Sequence, residues 1–111
     1  MQIKEQRHGA VTVLTPQGPL CQADAEAFEE KAKQTLDRTM GRLVVDMSGS
    51  PYVDSRGLEA LLAVTEQLAQ SGRVLKVCNA AETVREILEL TDLASMFEHY
   101  ADANAAVRSF L

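Results

Sequence analysis

The sequence lacks most of the signatures by which a small chain betrays its chemistry. Its glycines stand apart, among them Gly41, Gly49 and Gly57, so no glycine-rich phosphate loop is present. Cys21 and Cys78 are the two cysteines, and they show neither metal-ligand nor redox spacing. They are expected to be free thiols in a reducing cytoplasm, and no metal or cofactor is expected. No apolar run approaches the roughly 18 residues that span a bilayer. The opening "MQIKEQRHGAVTV" has no apolar block of the signal-peptide kind. The 11 Lys and Arg are scattered from Lys4 to Arg108 against 16 Asp and Glu, for a formal net charge of -5. That balance excludes the concentrated basic footprint of a nucleic-acid binder and sets the chain against anionic membranes. His8 and His99 have no partner that spacing places beside them. A Ser-His-Asp set exists in composition only, so no enzymatic activity is expected.

What is present reads as one folded domain spanning residues 1–111. The chain is 46% hydrophobic and 24% charged, enough apolar residues for a single core. Ile3, Glu5 and Arg7 alternate weakly with polar neighbours. His8-Gly9 signals a turn, and "AVTVLT" follows as a strand that Pro16, Gly18 and Pro19 should break. "QADAEAFEEKAKQTLDR" predicts a helix of about four turns, with Ala25, Phe28, Ala32 and Leu36 on its buried stripe. "RLVVDM" and "RVLKVC" read as buried strands. Between them lies a helix with Leu58, Leu61, Leu62, Thr65 and Leu68 on one face, stopped by Ser71-Gly72. "AETVREILEL" predicts a helix, "SMFEHY" a strand, and "DANAAVRSFL" a terminal helix capped by Asp102. The order β-β-α-β-α-β-α-β-α predicts an α/β fold. A mixed, mostly parallel sheet of about five strands carries about four helices, with one face less covered.

The stretch "SPYVDSRGLEALL" stands out. Its helix begins on Asp54-Ser55-Arg56-Gly57, and Gly is a poor helix former in an interior position. One reading is ordinary capping, with Asp54 or Ser55 accepting bonds from the free N–H groups of the first turn. The other is presentation of a hydroxyl. The segment leaves a buried strand at the carboxyl edge of a parallel sheet, where open α/β sheets bind partners. A phosphate on Ser55 would meet unpaired N–H groups and a favourable dipole, opposed by Asp54 next door. On that reading Gly57 clears space for a partner, and Gly57→Val is expected to weaken partner binding more than folding.

The strand "LVVDM", the run "VDSRGLEALL", the strand "VLKVC", the helix "AETVREILEL" and the segment "LTDLASMF" together resemble the STAS domain of bacterial anti-sigma-factor antagonists. The likeness covers nearly the whole chain and centres on Asp54, Ser55, Gly57 and Leu58. The charges spread along each helix predict a monomer, and the resemblance implies a non-enzymatic switch. In it Ser55 is phosphorylated by an anti-sigma factor that is also a serine kinase of the histidine-kinase-like ATPase type. The unphosphorylated form binds that partner and frees the sigma factor, and a PP2C-type phosphatase resets it. Asp54, Ser55, Arg56, Gly57 and Cys21 are the implied partner-binding positions. Two of them depart from the family pattern. Arg56 stands where relatives often carry Ser, and is either a partner for phosphate or carboxylate or a solvated first-turn residue. Cys21 stands where sporulation-type relatives carry an acid before the first helix, and is either a redox handle or a small apolar residue. The alternative function within the same fold is a subunit that clamps the ATPase of an ABC-type lipid or small-molecule transport complex without phosphorylation.

Overall fold

The computed structural model describes residues 1–111. Strand β1 (Gln2–His8) turns through Gly9 into β2 (Val11–Gln17), its antiparallel partner. Helix α1 (Gln22–Thr39) leads to β3 (Leu43–Asp46), and α2 (Ser55–Ala69) leads to β4 (Leu75–Cys78). Then come α3 (Glu82–Leu90), a 3-10 turn at Ala94–Met96, β5 (Phe97–Tyr100) and α4 (Ala103–Arg108). The five strands lie in the order β1-β2-β3-β4-β5, and every pair after the first is parallel. The expected element order and sheet type are those of the structure.

Strand β2 continues through Pro16, although proline predicts a break there. Pairing to β3 stops at Leu14, so Pro16 lies where β1 is the strand's one ladder partner. Proline is tolerated at such edge positions.

The sheet is covered unequally. One face packs α1, α2 and α3 over a core of 19 buried residues, with Phe28, Leu14, Leu20 and Leu61 among the largest. The other face buries Val11, Val13, Val44, Cys78 and Ala106 under α4 alone. Ala25, Phe28, Ala32 and Leu36 form the buried stripe of α1, as their spacing predicts. On α2 the buried set is rotated from the leucine stripe. Gly57, Ala60 and Val64 are buried, whereas Leu58 and Leu62 are half-buried. The small residues let α2 settle closely against its neighbours. Thr65 is buried with its hydroxyl fully used, donating to the Met96 carbonyl at 2.9 Å and accepting from the Leu75 N–H at 3.0 Å. No helix is long and apolar enough to cross a membrane.

Candidate functional site

The site forms where the chain leaves β3 at the carboxyl edge of the sheet. Two loops are laced together there. The Leu20 N–H donates to the Tyr52 carbonyl at 3.2 Å, and the Asp54 N–H donates back to the Leu20 carbonyl at 3.1 Å. Leu20 and Val53 thereby form a short parallel bridge, both buried. This lacing fixes Asp54 between the starts of α1 and α2.

Asp54 is the cap. Its backbone is extended, and Oδ1 accepts from the Gly57 N–H at 2.8 Å. Its other oxygen, Oδ2, accepts from the Gln22 N–H at 3.1 Å, in the first turn of α1. One carboxylate thus satisfies orphan donors of two helices. Cys21, at the cap position of α1, makes no capping bond and is half-buried. It has no disulfide partner: Cys78 lies buried under α4, with its thiol pushed up to about 12 by burial, then by Asp46 and Asp102.

The open choice between Asp54 and Ser55 as cap is therefore resolved. Ser55 is the first residue of α2, is exposed, and its hydroxyl makes no hydrogen bond within the chain. The N–H groups of Ser55 and Arg56 likewise have no acceptor in the chain. A nucleophilic hydroxyl thus stands beside two free donors at the positive end of a 15-residue helix.

Arg56 is engaged with its own chain. Nη1 reaches Glu59 at 2.7 Å and Nη2 reaches Glu26 on α1 at 3.2 Å. The hydrogen bond to Glu59 is the main reason its guanidinium is held above its ordinary pKa. The side chain straps α2 to α1 across the surface.

Gly57 requires a correction. It is buried, and a Cβ built on it would run into the Leu20 carbonyl oxygen and come within 3.1 Å of the Leu20 Cβ. The glycine is there to let α2 close on the Leu20 loop. It does not clear a surface for a partner, and Gly57→Val is not the mild change expected above.

Two further residues of the site went unread in the sequence. Gln22 adopts a left-handed backbone, φ 51°, while bound to Asp54. Tyr52 is 49% exposed beside the site, and the Pro51 carbonyl next to it accepts from Thr83 Oγ1 at 2.9 Å, which ties the loop to α3. The sole signal for Tyr52 was an aromatic beside a proline in the approach to Asp54. Neither histidine joins the site: His99 Nε2 bonds to the Ala94 carbonyl at 2.8 Å, and His8 ends β1.

With this geometry in place, comparison with known proteins is decisive about kinship. The family model described as the STAS domain matches residues 2–106. The chain belongs to the STAS domain family. BtrV of Bordetella bronchiseptica, assigned as an anti-sigma factor antagonist, is 32% identical over 94 residues, covering 85% of this chain and 81% of BtrV. The tm1081 protein of Thermotoga maritima, also assigned as an anti-sigma factor antagonist, superposes with a TM-score of 0.87 at 19% identity. It covers 96% of this chain and 92% of its own. The anti-sigma factor antagonist SpoIIAA of Bacillus, in its unphosphorylated form, matches with a TM-score of 0.76 at 16% identity over 98% of this chain and 96% of its own. SpoIIAA is also known in a phosphorylated form of the same fold.

Proposed function

We propose that this STAS domain is a phosphorylation-switched interaction module and that Ser55 is the phosphate acceptor. The observation that carries the reading is the free Ser55 hydroxyl. Asp54 takes over all the capping, so Ser55 has no structural employment at the start of α2. The unphosphorylated surface binds an anti-sigma factor that is also a serine kinase of the histidine-kinase-like ATPase type, and so frees a sigma factor. The names of BtrV and SpoIIAA support an anti-sigma factor as the partner.

In the switching step Ser55 Oγ takes the γ-phosphate of ATP, its proton passes to a base of the partner, and ADP leaves. The domain itself has no catalytic role. The product carries about -1.5 to -2 further charge, beside Asp54 and near Glu26 and Glu59. The free N–H groups of Ser55 and Arg56 stabilise that phosphate within the chain, whereas a docked partner has to bury it next to a carboxylate. The phosphorylated form is therefore released. A PP2C-type phosphatase hydrolyses the monoester and restores the surface. Around Ser55, the partner surface comprises Asp54, Arg56, Cys21 and Tyr52. An ATP-using partner is consistent with a cytoplasmic domain, and the charges spread along each helix support a monomer when unbound.

The test is a titration of Ser55→Ala and Ser55→Asp against the cognate kinase with nucleotide present, with circular dichroism as fold control. Ser55→Ala is expected to bind constitutively and to gain no phosphate by intact mass. Ser55→Asp is expected to bind at least tenfold more weakly, about 1.4 kcal/mol. Equal affinities would place Ser55 outside the interface and favour a clamp that works without phosphorylation.

A further inference from the structure

The opposite end of the sheet carries a feature that the switch does not use. There the β1–β2 turn, the last turn of α1 and the entry to β3 enclose an open cavity of ≈ 280 Å³. Arg7, Arg38 and Arg42 line it together with Thr12 and Thr39. Arg7 comes from β1, Arg38 from α1 and Arg42 from the loop before β3, so the fold gathers what the sequence scatters.

Their charges are largely unspent. Arg38 pairs with Glu5 at 3.0 Å, but Lys31 already holds the other oxygen of Glu5 at 3.0 Å. Arg7 and Arg42 pair with no carboxylate; Arg42 reaches the Thr39 carbonyl at the long distance of 3.5 Å. The carbonyl end of α1 favours cations nearby, which accounts for Arg38 in its last turn. It does not account for Arg7, which comes from β1. Three arginines line the cavity and no carboxylate does, in a chain whose net charge is -5.

We propose that this cavity binds a compact phosphate-bearing anion. Guanidinium forks match phosphate oxygens in geometry, and three converging forks satisfy a dianion better than a single carboxylate. A long polyanion is disfavoured, because beyond a Debye length of about 8 Å it would meet the acidic remainder of the surface. A small anion feels the local field alone. The phosphate is either free inorganic phosphate or the phosphate group of a small monoester.

The experiment is a ¹H–¹⁵N NMR titration of the full chain at fixed ionic strength with inorganic phosphate, with glucose 6-phosphate, and with chloride. Saturable shifts are expected at the amides of Gly9, Ala10, Thr12 and Arg42 with phosphate and not with chloride. Tighter binding of glucose 6-phosphate identifies a monoester ligand; equal or weaker binding identifies free phosphate. The double variant Arg7→Gln/Arg42→Gln should weaken binding at least tenfold. The charge-matched control Arg85→Gln/Arg108→Gln should stay within twofold. Glu5→Gln, which releases Arg38 from its partner, should tighten binding several-fold, with amide dispersion verifying each fold. The proposal is overturned by non-saturable shifts, by equal shifts with chloride, or by equal loss in the two double variants. It is also overturned if a poly-glutamate peptide binds here and phosphate does not. None of these outcomes depends on Ser55.

Discussion

Helices α1 and α2 start side by side but by different means. α2 has an ordinary acidic cap, Asp54, with extended backbone and a 2.8 Å bond to Gly57. α1 has Cys21 in the cap position, no side-chain cap, and a left-handed Gln22 immediately after. What α1 lacks, α2's cap supplies, through the second oxygen of Asp54 at 3.1 Å from the Gln22 N–H. One carboxylate holds both helix starts and the loop between them. The residue next to it, Ser55, is thereby relieved of structural work. A hydroxyl with nothing to do in the fold is the group best suited to be modified without unfolding anything.

The contrast breaks most severely at Gly57. α2 can approach the Leu20 loop because position 57 has no Cβ, and any added carbon meets the Leu20 carbonyl. Over-packing against backbone has no flexible side chain to yield. Gly57→Ala is expected to cost roughly 3 kcal/mol, and Gly57→Val more. Chemical denaturation checks this; a loss below about 1 kcal/mol would mean that the two loops separate easily and that the Asp54 bridge is slack.

Asp54→Ala removes acceptors from both helices at once. Loss of a cap typically costs about 1 kcal/mol, and the second bond, made by a charged acceptor, adds a comparable amount. We expect a loss of about 2 kcal/mol, with Asp54→Asn losing about half as much because it keeps one acceptor oxygen. Hydrogen exchange gives the sharper readout. Amides in the first turns of both α1 and α2 should lose protection in Asp54→Ala. Faster exchange confined to α2 would show that α1 starts independently.

Much of this architecture was legible in the sequence. The stripe of Ala25, Phe28, Ala32 and Leu36, the order of elements and the Asp102 cap all followed from local periodicity and turn chemistry. Asp54 and Ser55 were visible as a pair, but their division of labour was not. Asp and Ser both cap helices well, and the second bond of Asp54 goes to a residue 32 positions away, a distance that local pattern does not encode. Gly57 misled for the same reason: isolated in sequence it reads as open space, and in the fold it faces a backbone carbonyl. The arginines are spread along the sequence from Arg7 to Arg108, yet Arg7, Arg38 and Arg42 share one cavity. The chain reversals that bring them together are tertiary facts.

Gln22→Gly sharpens the comparison with a smaller effect. A left-handed backbone costs a non-glycine residue about 1 kcal/mol, which glycine removes. Glycine also enlarges the entropy of the unfolded chain, which offsets part of the gain. A net stabilisation of about 0.5 kcal/mol is expected, read as a rise in Tm of about 2 to 4 °C. The gain should persist in the Asp54→Ala background if the strain is set by the Leu20 loop. If the gain vanishes there, the carboxylate itself pulls Gln22 into the left-handed region.

The smallest expected effect belongs to Ser55→Ala. Ser55 is exposed, its hydroxyl donates to nothing and accepts from nothing in the chain, and the cap of α2 is intact without it. Alanine is at least as good a helix former as serine. The variant should therefore match the parent within about 0.5 kcal/mol, with unchanged hydrogen-exchange protection in α1 and α2. This near-zero result is informative because its neighbours are costly: Asp54 on one side and Gly57 two residues on both support the fold. If Ser55→Ala instead lost about 1 kcal/mol, the usual value of a helix cap, Ser55 would share the capping with Asp54. Phosphorylating it would then unsettle the start of α2 rather than merely recharge its surface, and the division of labour between the two residues would fail.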